Sequence, residues 1–164
     1  MTTEPVRIYW DSCVYISCIQ ETADRIATLR RLVQAAKDGE IVFVASAMVI
    51  AEVVKIDKDS PATFADQAKK IREFFENDYI KVREVDRRTA EDAQAISRKF
   101  GLKPPDAIHV ATALRWKCRS LQTYDGEKGE AKKLLAFDGL IGVPALKIEL
   151  PSYVAKPVQH QLLG

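Results

Sequence analysis

Short apolar runs rich in β-branched residues alternate with longer segments of helical period along this chain, and this alternation constrains the fold most. The runs that predict buried strands are residues 6–10, 41–45, 79–82, 120–123 and part of 140–150. Strands that alternate with helices are typical of a mainly parallel sheet covered by helices on both faces. The sequence therefore predicts the α/β fold class.

Apolar spacing and end signals predict helices between the strands. They cover residues 12–20, a segment after Thr22 that ends at Gly39, residues 46–56, a segment opened by Ser60 and Pro61, a segment from Thr89 to Gly101, residues 106–116 and residues 127–136. The side chains of Thr22 and Ser46 are expected to cap their helices. Thr89 and Asp92 resemble a capping box.

Length and composition indicate one globular domain. The chain has 164 residues, of which 47% are hydrophobic, so residues 1–150 are expected to form a single domain with its own core. Residues 151–164 contain two prolines and show no period, which predicts an extended or disordered tail. We expect a cytoplasmic protein with three reduced cysteines, because neither a signal peptide nor a membrane-spanning run is evident.

Four acidic residues occupy positions where ligands bind in parallel sheets. Asp11 directly follows the first predicted strand, and Asp125 follows the strand that ends at Thr123. Glu52 lies in an apolar helix after the second strand, and Asp106 lies in the first turn of a helix opened by two prolines. Because ligands bind beyond the carboxyl ends of parallel strands, we expect these acids to meet at one edge of the sheet.

Four carboxylates in one place repel one another unless a cation compensates them. Oxygen ligands suit Mg²⁺ or Mn²⁺, whereas two histidines and three cysteines in this spacing do not suit a zinc site. A divalent ion held by carboxylates can activate water and neutralise charge on a phosphate, so phosphodiester hydrolysis is the chemistry that the pattern favours. A net charge of +2 excludes a general polycationic coat but permits a local basic rim around a nucleic-acid site.

Four segments in order resemble the PIN domain family, in particular the ribonuclease toxins of prokaryotic toxin–antitoxin pairs. The resemblance rests on residues 8–12, 46–52, 106–113 and 121–125 and extends over about residues 6–143. It implies a three-layer α/β/α fold and a Mg²⁺- or Mn²⁺-dependent endoribonuclease. It also implies an antitoxin that covers the acidic cleft, and a homodimer formed through helices.

The same resemblance assigns roles to individual residues. Asp11, Glu52, Asp106 and Asp125 are the implied catalytic residues and metal ligands, and Ser12 and Thr123 are polar supports beside the first and fourth acids. After Asp125 the chain departs from many relatives with the sequence Gly126-Glu127-Lys128-Gly129, which leaves open whether Asp125 or Glu127 completes the site.

Other polar residues near these acids have simpler explanations. His109 can be proposed as a general base, but local packing or hydrogen bonding is the favoured interpretation. Ser46 is a further candidate for a supporting residue of the site, although helix capping alone explains it, and a small buried thiol explains Cys13. Among the basic residues, Lys103 and then Lys55 are the best candidates for RNA contact, whereas Arg115, Lys117 and Arg119 are expected to be solvated.

Two alternative functions remain open at this stage. A catalytically inactive PIN-like module that binds RNA or protein fits the altered surroundings of Asp125. A phosphotransferase of the haloacid dehalogenase kind fits an aspartate after the first strand, but that chemistry needs a second aspartate two residues later, where this chain has Cys13.

Overall fold

Five parallel strands form one sheet at the centre of the computed structural model, which describes residues 3–54 and 64–154. The strands are β1 (Val6–Trp10), β2 (Ile41–Ser46), β3 (Ile80–Arg83), β4 (Ser120–Gln122) and β5 (Lys147–Glu149). Their order across the sheet is β3-β2-β1-β4-β5, and every neighbouring pair runs parallel. The register pairs Ile8 of β1 with Phe43 on one side and with Ser120 on the other.

Helices cover both faces of the sheet. They are α1 (Ser12–Ile19), α2 (Ile26–Lys37), α3 (Ala47–Glu52), α4 (Phe64–Phe75), α5 (Arg87–Phe100) and α6 (Pro104–Arg115). The chain moves outward from β1 through β2 to β3 and then returns past β1 to β4. Because crossovers between parallel strands are right-handed, this reversal places α1–α4 on one face and α5–α6 on the other. The predicted α/β/α fold with a parallel sheet is confirmed.

The centre of the core lies where β1 meets its neighbours. Trp10 is fully buried, and its ring lies 3.9 Å, centroid to centroid, from that of Phe43 on β2. Its indole Nε1 donates to Oε1 of Gln122 on β4 at 2.8 Å, so the polar end of the ring is also satisfied. Burial of each such side chain contributes about 1.5–3 kcal/mol, and this packing fixes the end of β1 next to Asp11.

Two predicted helix starts are wrong because other residues provide them. Helix α2 begins at Ile26 with Arg25 at the N-cap, and Thr22 instead accepts hydrogen bonds from the amides of both residues through its carbonyl oxygen. The N-cap of α5 is Asp86, whose carboxylate accepts from the Thr89 amide at 2.9 Å. The predicted capping box at Thr89 therefore lies inside the helix, and the acid that caps it is three residues earlier.

The predicted helix at residues 127–136 is also wrong. Gly126, Gly129 and Lys132 have φ values of +96°, +78° and +64°, which a right-handed helix does not allow. Turns occupy this segment, followed by a 3₁₀ helix at Leu134–Phe137. The last strand is confined to Lys147–Glu149, a small part of the segment expected to contain it.

Of the remaining predicted helix ends, one is confirmed, one is wrong and one lies outside the described residues. Gly39 ends α2 with φ of +77°, as predicted. Helix α3 stops at Glu52 rather than near Ile56, and Ile56, Ser60 and Pro61 fall outside the described residues. Of the predicted tail, residues 151–153 lie against the domain: Gln122 donates to the carbonyl of Ser152 at 2.6 Å, and Tyr153 donates to Glu40 at 2.8 Å.

None of the helices in the described ranges is both long and apolar enough to cross a bilayer. All three cysteines are free thiols.

Candidate metal-dependent nuclease site

The carboxyl ends of β2, β1 and β4 lie side by side at one edge of the sheet. The strand order reverses around β1, which is where ligands bind in sheets of this kind. Asp11 follows β1 directly, and Asp125 lies three residues after the end of β4. Helix α3, which follows β2 without a loop, ends at Glu52. Three of the four predicted acids thus come from adjacent strand ends.

Asp11 is held rigidly at the start of α1. Its side chain is 4% exposed, and its oxygens accept from the Val14 amide at 3.4 Å, from Cys13 Sγ at 2.8 Å and from Thr123 Oγ1 at 2.6 Å. Burial raises the pKa of this carboxyl, and the nearby His109 and the three hydrogen bonds oppose that rise. A carboxylate has about four lone-pair positions, so one remains for a ligand.

Cys13 contributes to the site in a way that the sequence did not reveal. Burial and the nearby Asp11 raise the pKa of its thiol, which therefore keeps its proton and donates it to Asp11. Ser12, the residue expected to support Asp11, is half-buried at the start of α1 and forms no hydrogen bond with Asp11 among the described contacts. The sequence alone favours the Ser12 hydroxyl as the donor to Asp11, because the Cys13 thiol is the weaker donor.

Thr123 joins the first and fourth acids. Its fully buried Oγ1 donates to Asp11 and accepts from the Asp125 amide at 2.9 Å. The Asp125 carboxylate is fixed in turn by the Leu134 amide, which donates to Oδ2 at 3.0 Å, while Lys133 Nζ lies 3.7 Å from Oδ1. Asp125 therefore occupies a defined position although it lies on a loop.

Glu127 is turned toward a different partner. Arg25 donates to its Oε1 at 2.7 Å, and the same guanidinium stacks on the Tyr124 ring at 3.8 Å from the centroid. Asp125, by contrast, raises the pKa of Asp106. Of the two candidates for the fourth acid, the geometry favours Asp125.

Asp106 is half-buried in the first turn of α6, where the charges of the other three acids act on its carboxyl group. Burial raises its pKa most, and the charges of Asp125, Asp11 and Glu52 raise it further, whereas His109 opposes them. Within residues 3–54 and 64–154 its carboxylate forms neither a hydrogen bond nor an ion pair. Asp106 is thus the acid with the most unbalanced charge and the fewest occupied ligand positions.

Glu52 is fixed by a buried histidine on the opposite layer. Oε1 of Glu52 lies 2.9 Å from Nε2 of His109, and Nδ1 of His109 lies 2.7 Å from the hydroxyl of Tyr9. The His109 side chain is 2% exposed, so its contact with the site is the one with Glu52 and not one through solvent. The favoured interpretation, local packing or hydrogen bonding, does not describe these contacts, because both partners lie on other elements far along the chain.

Ser46 does not cap α3 with its side chain. It occupies the N-cap position, but its hydroxyl forms no capping bond, and the buried oxygen has no hydrogen-bond partner in the described residues. Its backbone amide donates to the Tyr9 hydroxyl at 3.2 Å. The expectation of a capping serine is wrong because the residue is enclosed at the end of β2, where the Tyr9 hydroxyl lies beside its backbone.

The donor set fits a hydrated magnesium or manganese ion. Across the described ranges, no three histidine, cysteine, aspartate or glutamate side chains are close enough to hold one ion directly. Mg²⁺ usually keeps several water ligands and binds directly to one or two carboxylates. Burial and the charges of the other three acids raise the pKa of Asp106, so its carboxylate is the group whose charge a divalent ion would compensate most.

Basic residues differ in how far they are available to a nucleic acid. Lys103 is exposed at the N-cap of α6, three residues before Asp106. Arg115 donates to Asp86 and Thr89 and so ties α6 to the start of α5, which makes its role structural. Lys55 lies outside the described residues.

Comparisons with known proteins identify relatives of this fold. The chain resembles a toxin–antitoxin complex from Klebsiella pneumoniae with 20% identity and a TM-score of 0.59, covering 90% of this chain and 99% of the other. It resembles VapC20 from Mycobacterium tuberculosis, a sarcin–ricin loop cleaving toxin, with 14% identity and a TM-score of 0.58, covering 76% and 97%. It resembles VapBC2 from Rickettsia felis, bound to a DNA fragment from its promoter, with 13% identity and a TM-score of 0.60, covering 88% and 98%.

At these identities the three likenesses show the fold. No curated protein matches the chain significantly. The PIN domain family model matches residues 8–134, a span that contains all four acids and the strands that position them. The chain therefore belongs to the PIN domain family.

Proposed function

We propose that this protein is a Mg²⁺- or Mn²⁺-dependent endoribonuclease and the toxin of a toxin–antitoxin pair. The observation that carries the proposal is that Asp11, Glu52 and Asp125, which come from separate elements, all raise the pKa of Asp106 through their charges. Membership of the PIN domain family and the likeness to a toxin that cleaves the sarcin–ricin loop support RNA as the substrate.

The four acids have different tasks in this proposal. Asp11 is fixed by three hydrogen bonds and provides a ligand of fixed position. Asp106 has no hydrogen bond in the described part of the chain, so its oxygens are available to the ion or to the attacking water. A bound Mg²⁺ or Mn²⁺ supplies a water of lowered pKa and neutralises charge on the phosphate. Glu52 and Asp125 would complete the set of carboxylates that hold the ion.

The RNA backbone is expected to approach over the start of α6. The exposed ammonium of Lys103 and the helix N-terminus both favour phosphate there. Lys55 is a second proposed contact. We expect these cations to position the phosphate beside Asp106 without reading the base sequence.

An antitoxin partner is supported by an apolar groove beside Glu52. It is lined by Ile50, Val53, Val54, Ile71 and Phe75, and Ile50 and Val54 are 45% and 57% exposed. An antitoxin segment that lies in this groove can place a cationic side chain against the acids. We also propose a homodimer formed through helices, which sedimentation velocity tests: a single species of monomer mass would contradict it.

An RNA-cleavage assay tests the proposed activity. Purified protein is incubated with structured and single-stranded RNAs in Mg²⁺, in Mn²⁺ or in chelator, and Asp11→Asn is compared with Asp92→Asn, an exposed acid on α5. We expect metal-dependent cleavage by the wild type and Asp92→Asn and its loss in Asp11→Asn. Cleavage that persists in chelator contradicts the proposal, and RNA binding without cleavage in any metal favours the inactive module.

A further inference from the structure

A line of buried polar groups runs from the end of β2 to Glu52. The Ser46 amide donates to the Tyr9 hydroxyl at 3.2 Å, this hydroxyl lies 2.7 Å from Nδ1 of His109, and Nε2 of His109 lies 2.9 Å from Oε1 of Glu52. Ser46 and Tyr9 are fully buried and His109 is 1% exposed. Groups so enclosed must satisfy one another, because no water replaces a missing partner.

The direction of these contacts follows from their first member. A backbone N–H can only donate, so the Tyr9 oxygen accepts from Ser46 and its own proton is available to Nδ1 of His109. A neutral imidazole has one acceptor nitrogen and one donor nitrogen. With Nδ1 as the acceptor, the ring proton is on Nε2, which is the nitrogen that faces Glu52.

The reverse arrangement leaves a buried group without a partner. A proton on Nδ1 alone would leave the lone pair of Nε2 facing Oε1 of Glu52 at 2.9 Å, so two acceptors would meet with no proton between them. A buried acceptor left without a donor is destabilising, because no water replaces the missing partner. The Nε2-protonated form avoids that cost.

One carboxylate oxygen of Glu52 faces His109, and other atoms of the Glu52 side chain are accessible to solvent. Its Oε1 is buried and has no hydrogen-bond partner in the described residues, but Nε2 of His109 lies within ion-pair distance at 2.9 Å. The side chain is nevertheless 32% exposed, so its accessible surface belongs to its other atoms. His109 therefore occupies Oε1 and leaves Oε2 as the oxygen that can reach the cleft.

We propose that His109, with its proton fixed on Nε2 by Tyr9, is a positioning residue that orients the Glu52 carboxylate toward the bound divalent ion. The inference rests on the proposed function for the ion. The proton position, however, is a property of the metal-free protein and can be tested without activity. Partners that orient a ligand in this way typically change metal affinity by about 10–100-fold when they are removed.

Two tyrosine-to-phenylalanine variants provide a matched comparison. Tyr9→Phe removes the hydroxyl that faces His109, whereas Tyr15→Phe removes an equally buried hydroxyl that has no hydrogen-bond partner in the described residues. Nitrogen-15 NMR of the histidine side chains reports which ring nitrogen carries the proton. Because the chain has two histidines, His109→Gln identifies the signals of His109.

We expect the His109 proton on Nε2 in the wild type and in Tyr15→Phe, and a mixture of both ring positions in Tyr9→Phe. Calorimetric titration with Mn²⁺ should show at least a tenfold loss of affinity, about the lower limit for such partners, in His109→Leu. The loss should be smaller in His109→Gln, which keeps a donor, and Tyr15→Phe should bind like the wild type. Urea unfolding verifies that each variant is folded.

A proton on Nδ1 in the wild type would overturn the inference, and so would wild-type Mn²⁺ affinity in folded Tyr9→Phe and His109→Leu. If His109→Leu does not fold, Tyr9→Phe decides the question. A wild type that binds no Mn²⁺ and cleaves no RNA refutes the proposed function and, with it, the role of His109 toward the ion.

Discussion

Replacement of Thr123 by valine removes one buried hydroxyl and keeps the branched shape of the side chain. The lost oxygen donates to Asp11 Oδ2 at 2.6 Å and accepts from the Asp125 amide at 2.9 Å. A hydrogen bond to a charged group contributes about 1.5–3 kcal/mol, and an unpaired buried amide adds a cost of similar size. We expect Thr123→Val to lower the free energy of unfolding at neutral pH by about 3–6 kcal/mol.

Thr112→Val is the matched control. Thr112 is 1% exposed, and its hydroxyl donates to the Ile108 carbonyl, which lies one turn earlier in the same helix. Loss of such a bond leaves the carbonyl with its helical partner, so we expect a cost of about 1 kcal/mol or less. The comparison therefore separates the bond to Asp11 from the general effect of a buried threonine.

The cost of Thr123→Val should also depend on pH. The Thr123 bond favours the charged form of Asp11 and lowers its pKa, in opposition to burial. Its contribution is therefore present at neutral pH and is lost as the pH falls through the folded-state pKa of Asp11. Urea unfolding followed by circular dichroism, from neutral pH into acid, should show a cost that shrinks for Thr123→Val and stays constant for Thr112→Val. Equal costs for the two variants, or no pH dependence in Thr123→Val, would refute this reasoning.

Three other variants test separate parts of the structure. Glu127→Gln should keep RNA cleavage and Mn²⁺ affinity, because Glu127 pairs with Arg25. Its free energy of unfolding should fall by less than about 1 kcal/mol. A loss of Mn²⁺ binding would show that Glu127 is a metal ligand. Gly126→Ala should destabilise the protein in urea by about 1–2 kcal/mol or more. The φ angle at this position is +96°, and the added Cβ would lie 2.8 Å from Cβ of Lys133. Unchanged stability would contradict this expectation. Asp86→Ala should cost about 1–2 kcal/mol in the same assay through loss of the α5 cap, and an unaffected midpoint would show that the cap contributes nothing.

The strands and the order of the acids followed from the sequence because they depend on local signals. Residues 6–10 and 41–45 are nearly continuous apolar runs, as expected for strands buried on both faces. Placement of Asp11 after such a strand needs no knowledge of distant contacts. The parallel sheet then brings Asp11 and Asp125 to the same edge.

Features that depend on partners far along the chain were not predictable. The contact between Tyr9 and His109 joins residues 100 positions apart, and the bond between Thr123 and Asp11 joins residues 112 positions apart. The helix expected at residues 127–136 has suitable composition, but the Asp125 carboxylate and carbonyl fold this segment back by accepting from the amides of Leu134 and Leu135. Tertiary contacts overrode local propensity at that point.

The central claim is that four acids are gathered at a cost that a divalent ion relieves, and thermal unfolding of Asp106→Asn tests it most directly. Burial and the other three acids raise the pKa of Asp106, so stability falls as the pH rises above the unfolded-state pKa, and the loss is complete above the folded-state pKa. In chelator at neutral pH, we expect Asp106→Asn to melt above the wild type, whereas Asp92→Asn should melt with it.

Addition of Mn²⁺ should then raise the melting temperature of the wild type and of Asp92→Asn, and raise that of Asp106→Asn much less. A wild type that gains no stability from Mn²⁺, or an Asp106→Asn variant that is less stable than the wild type in chelator, would contradict the account.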